Sequence, residues 1–86
     1  MRGILELITK EIERARFLHG PLTSDHFRAL AILSEEHGEV AKAILECRRK
    51  HWSKEARDLL LAELIQLASV TLLMILNLRD EGKCDV

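Results

Sequence analysis

The sequence predicts an all-α fold, a bundle of about three helices completed by oligomerisation. Apolar residues recur at helical spacing through three segments, and no stretch alternates with the two-residue period of a strand. Proline occurs once, at Pro21, next to Gly20, so the chain has one strong break and long uninterrupted runs on either side. With 86 residues, positions 1–86 form a single domain.

The first helix is expected from about Gly3 to Leu18. Ile4, Leu5, Ile8, Ile12, Ala15 and Leu18 make its apolar stripe, and Glu6, Lys10, Glu13 and Arg14 take other faces. The Gly20-Pro21 pair stops it. A second helix starts around Thr23-Ser24-Asp25, which offers N-cap oxygens and a negative charge at the favourable end. It runs to Arg49 or Lys50, where Arg48, Arg49 and Lys50 suit the C-terminal dipole. Ser53 is the expected N-cap of a third helix reaching about Arg79, before Gly82. That helix would be about 40 Å long. A lone small domain struggles to cover it, so a homodimer or homotetramer is expected.

Composition excludes several functions. Phe17, Phe27 and Trp52 are the whole aromatic complement, too few for stacking single-stranded nucleic acid. A net charge of −1 gives no basic footprint for DNA or RNA. Cys47 and Cys84 lack a metal-finger spacing and, without a signal peptide, read as reduced thiols of a cytoplasmic protein. Residues 59–78 are apolar enough to suggest a bilayer span, but Glu63, Gln66 and Asn77 interrupt them. A carboxylate inside a span costs about 3 kcal/mol, so a helix buried on most sides by protein is the expected reading, with no membrane partner.

The informative residues are carboxylates in apolar company. On a helical wheel Glu36 lies on the stripe of Ala29, Leu33, Val40 and Cys47, and Glu39 follows one turn later at its edge. Glu35 lies further round on the Glu39 side. On the third helix Glu63 stands among Leu59, Leu60, Leu64 and Leu67, with Gln66 one turn on and Asn77 three turns beyond. Buried carboxylates need cations, hydrogen-bond donors or a raised pKa. A single such Glu is ordinarily a boundary residue or half of an interhelical salt bridge. Several on two helices, with few basic residues expected to face them, point instead to a hard cation such as Mg²⁺ or Mn²⁺ on oxygen ligands. Gly38, inside the helix at a cost of about 1 kcal/mol, would let a helix or ligand approach, or is simply a tolerated surface glycine.

The string Glu35-Glu36-His37-Gly38-Glu39-Val40-Ala41-Lys42-Ala43 resembles the first signature of the MazG-like all-α nucleoside-triphosphate pyrophosphohydrolases, a Glu-x-x-Glu pair that Glu36 and Glu39 fit. Ala62-Glu63-Leu64-Ile65-Gln66 is similar to the second signature, Glu-x-x-Asp, with Gln66 where the family usually has aspartate. The likeness covers about residues 27 to 77. It implies a helical bundle completed by dimers or tetramers. It also implies cleavage of a (d)NTP between the α and β phosphates, as in house-cleaning of unusual nucleotides, with Glu36, Glu39 and Glu63 as catalytic metal ligands. Gln66 would be a fourth, neutral ligand or a phosphate contact, and Asn77 a contact to sugar or base or else a satisfied interhelical amide. A related phosphoribosyl-ATP pyrophosphohydrolase activity and a non-catalytic nucleotide- or metal-binding oligomer stand as alternatives.

Other side chains carry weaker signals. Lys42, Lys50, Lys54 and Arg57 are near enough in sequence to meet phosphate oxygens, though such residues ordinarily make a solvated face. Trp52 at the second turn is a packing anchor or a platform for a nucleotide base. His37 points away from Glu36 and Glu39 and reads as a surface residue. Neither cysteine has a neighbour that would activate it.

Overall fold

Helical periodicity becomes α1 (Arg2–His19), α2 (His26–Arg49) and α3 (Lys54–Asp80) in the computed structural model, which describes residues 2–19 and 26–80. There is no strand among the described residues. The Gly20-Pro21 stop and the Thr23-Ser24-Asp25 cap lie outside them.

The α2–α3 turn is built locally. The Trp52 amide donates to the Cys47 carbonyl at 2.7 Å and the His51 amide to the Arg48 carbonyl at 3.3 Å. That pair of bonds is a Schellman motif with His51 in the position glycine usually takes. His51 and Trp52 accordingly have φ of 53° and 57°. Ser53 is the N-cap of α3: its Oγ accepts from the Ala56 amide at 3.3 Å, and its carbonyl receives the Arg57 amide at 3.0 Å. So short a turn forces α2 and α3 antiparallel. Small side chains let them close up, with Ala29, Val40 and Cys47 buried from α2 and Ala56, Ser69 and Val70 from α3.

α3 packs against both other helices, whereas α1 and α2 make no close backbone approach to each other. Leu73 and Ile12 form the buried centre of the α1–α3 contact, with Ile8 and Ile32 packed on it. Ser69 Oγ donates to the Ile65 carbonyl at 2.7 Å and lies 3.4 Å from the Ile8 carbonyl. Residues 8 and 12 of α1 thus match residues 69 and 73 of α3, and the two helices run parallel. In this register Arg2 falls level with about Glu63, so α1 covers the later two thirds of α3 and leaves its first turns bare.

α3 is not enclosed on most sides, as its apolar sequence led one to expect. Leu59, Leu61, Leu64, Leu72 and Ile75 are all exposed. By length and composition, residues 54–79 are also long and apolar enough to cross a membrane. One chain of this size supplies two neighbours to α3, and two neighbours cannot cover an all-round apolar helix.

Candidate functional site

Glu36 and Glu63 are both half-buried, and each has one carboxylate oxygen, Oε2, sealed from solvent without a hydrogen-bond partner. Antiparallel packing of α2 on α3 is what brings them together from positions 27 residues apart. Burial first, then the charges of Glu63, Glu35, Glu39 and Glu11, pushes the Glu36 carboxyl above the ordinary carboxylate range. Removing a carboxylate from water disfavours its ionised form, and like charges disfavour it further.

Beside this pair a groove of about 230 Å³ runs between α2 and α3, lined by Glu39, Lys42, Ala43, Glu46, Ala56, Leu59 and Glu63. It occupies the end of the α2–α3 face that α1 does not reach. Its volume is below the ~300–1,000 Å³ of pockets that enclose a drug-sized ligand, so it has room for no more than one end of such a molecule. Within it Lys42 Nζ stands 4.0 Å from a Glu39 oxygen. Glu46 is held by Arg49 and by Lys50, the latter at 3.3 Å, and its carboxyl falls to about 2, chiefly through the hydrogen bond from Arg49.

Glu36, Glu39 and Glu63 therefore belong to one acidic face. Gln66 is half-buried one turn beyond Glu63 and does not line the groove. Asn77 is buried, with Nδ2 unpartnered, but lies fourteen residues, about 21 Å, along α3 from Glu63. Trp52 is half exposed at the turn, outside the groove. His37 is exposed and lines a separate hollow with Leu33, Ser34 and Leu67. Cys47 is fully buried, as an inert thiol would be.

Comparison with known proteins decides nothing further. No family model, curated protein or solved structure matches the chain. The site rests on its own geometry.

Three contributors escape the sequence reading. Glu11 on α1 is close enough to act on Glu36, and it accepts a hydrogen bond from Arg14 Nε at 2.9 Å. Arg14 is in turn held charged by Glu11 and, from further off, by Glu36. So one basic residue, Arg14, approaches these glutamates. The signal was available: Glu11 sits three residues after Ile8 on the Ile4–Ile8–Ile12 face, and Arg14 follows at i+3. Glu46 was hidden by its basic neighbours, which read simply as dipole-capping charges.

The chemistry of the donors suits a hard cation, because two buried anionic oxygens on facing helices lack partners. As placed, however, no three Asp, Glu, His or Cys side chains among the described residues are grouped to hold one.

Proposed function

We propose that the chain is a Mg²⁺- or Mn²⁺-dependent nucleotide pyrophosphohydrolase that splits a (d)NTP into (d)NMP and pyrophosphate. The observation that carries this reading is the pair of unpartnered buried oxygens on Glu36 and Glu63, next to a groove containing Glu39 and Lys42. The Glu36-x-x-Glu39 and Glu63-x-x-Gln66 spacing of the MazG-like family agrees with it.

Glu36, Glu39 and Glu63 would hold the cation, with Gln66 offering a neutral oxygen after a side-chain turn. Bound there, the ion supplies positive charge for the triphosphate and polarises a water. The residues of the chain do the rest. Lys42 exchanges its 4.0 Å contact with Glu39 for a phosphate oxygen. A carboxylate of the set that is not engaged in ligation accepts the proton of the attacking water. Leu59, Ala43 and Ala56 give the groove an apolar wall that strengthens these electrostatic contacts.

A panel of NTPs and dNTPs with Mg²⁺ or Mn²⁺, assayed for pyrophosphate, tests the reading. Release from at least one nucleotide is expected, and Glu36→Gln and Glu63→Gln should each lower it by a factor of ~100 or more. No release from any nucleotide, with ion binding retained, would instead favour a non-catalytic metal- or nucleotide-binding protein. The neutral Gln66 is the feature that favours this second reading.

A further inference from the structure

The α2–α3 turn concentrates positive charge in a chain that is acidic elsewhere. Residues 48–57 carry Arg48, Arg49, Lys50, Lys54 and Arg57 against the single carboxylate of Glu55, a net +4. The whole chain totals −1, so the remaining residues carry −5. All five basic side chains are exposed. Arg49 and Lys50 are paired with Glu46, and Lys54 with Asp58. Arg48 and Arg57 make no ion pair among the described residues, and their charges are uncompensated.

Amid these charges stands Trp52, 51% exposed. Its φ of 57° is a conformation that a bulky side chain adopts only with strain, and His51 before it has the same hand. Glycines would close this turn without strain. The sequence instead places its one tryptophan there, half in water, where the fold gains little packing from it. An indole suits the boundary between water and lipid, with its ring in the headgroup layer and its N–H hydrated. Basic residues at the same level are drawn to anionic headgroups. Affinity for such a surface combines the apolar area inserted with the attraction to anionic lipid, and the turn supplies both. A nucleic acid fits less well, because one indole gives no platform for successive bases.

We propose that the α2–α3 turn docks on an anionic lipid surface, with Trp52 in the headgroup layer and the five basic side chains against lipid phosphates. The contact is peripheral, and no helix crosses the bilayer. Repulsion of the acidic remainder of the chain orients the molecule with this turn towards the lipid. Neither Glu36 nor Glu63 takes part, so the proposal stands apart from any enzymatic reading.

Trp52 is the only tryptophan and the chain has no tyrosine, so intrinsic fluorescence reports on this turn alone. In EDTA, vesicles of equal phosphatidylcholine and phosphatidylglycerol should shift its emission to the blue and carry the chain down on centrifugation. Pure phosphatidylcholine should do neither, and about 0.5 M NaCl should release the bound chain. Arg48→Ala combined with Arg57→Ala should weaken binding about 25-fold, from roughly fivefold per basic residue. Trp52→Gly should bind more weakly yet fold at least as well by circular dichroism, since glycine suits the left-handed position. No blue shift and no sedimentation with the anionic vesicles overturns the proposal. So does equal binding to pure phosphatidylcholine, or full binding by Trp52→Gly, either of which would place the lipid contact elsewhere on the molecule. A thymidine oligonucleotide that perturbs Trp52 at lower concentration than the vesicles do would also overturn it, making the turn a nucleic-acid surface.

Discussion

At the scale of single residues, Glu36 sets a pH dependence whose sign can be stated. Its folded pKa is raised by burial and by the carboxylates around it. The native state therefore binds this proton more tightly than the unfolded chain does. The stabilisation is complete below the ordinary value of 4.5 and is lost as pH rises through the raised native value. Glu46 behaves oppositely: its contribution is present above 4.5 and lost as pH falls towards about 2. In EDTA, the urea midpoint should thus fall as pH rises above the ordinary carboxylate value, and Glu36→Gln should flatten that slope and raise the midpoint at neutral pH. An unchanged slope in the variant would show that Glu36 is not the group responsible. Glu36 and Glu63 were legible in the sequence because a charge on an apolar stripe is conspicuous. Glu11 and Arg14 were legible only as an i,i+3 pair on α1; that they reach Glu36 was not, because α1 meets the other two helices through tertiary packing that no local pattern encodes.

At the scale of elements, the turn and the helix interiors make separate predictions. His51 occupies a left-handed position where an ordinary side chain costs about 1 kcal/mol relative to glycine. His51→Gly should accordingly raise the unfolding free energy by roughly that amount in denaturant titration. Gly38 faces open space, with nothing within 4 Å of where a Cβ would stand. The close approach expected there does not occur within one chain, and Gly38→Ala should stabilise α2 by about 0.5–1 kcal/mol. A loss of stability in the assembled protein would instead mean that a second chain or a ligand sits against that position. Leu73 is 1% exposed at the α1–α3 contact, and Leu73→Ala should cost about 2–5 kcal/mol. The three helices and the Ser53 cap could be read directly, since periodicity, capping oxygens and terminal charges are local signals. The burial of α3 could not, because an apolar run states what a helix avoids and leaves open what covers it.

At the scale of the whole molecule, the extents of 45 × 29 × 24 Å and a radius of gyration of 14.3 Å describe an elongated body. A compact domain of this length has a radius near 12 Å. The surplus reflects a 27-residue helix standing beside an 18-residue one, so that one end of the α2–α3 pair projects alone. The acidic groove lies on that projecting end, and occupancy by a cation should be felt globally. At a hundredfold excess over Kd, Mg²⁺ would add about 2.7 kcal/mol of stability. For a domain of this size that corresponds to a rise in Tm of roughly 10 °C or more by differential scanning calorimetry. Combining Glu36→Gln with Glu63→Gln should remove the rise, and a rise that persists would place the ion elsewhere.

The Schellman turn and the Ser53 cap also bear on the order in which the chain folds. Their bonds join residues no more than five apart, so the α2–α3 hairpin closes at little entropic expense and is suited to form in the rate-limiting step. The contact of Ile12 with Leu73 spans most of the sequence and belongs to a later stage. Ser53→Ala should therefore slow refolding, whereas Ile12→Ala should act mainly by speeding unfolding. Stopped-flow chevrons would separate the two limbs. On this account the hairpin that frames the groove assembles first, and α1 arrives afterwards with Glu11 and Arg14 to close the far side of the acidic cluster.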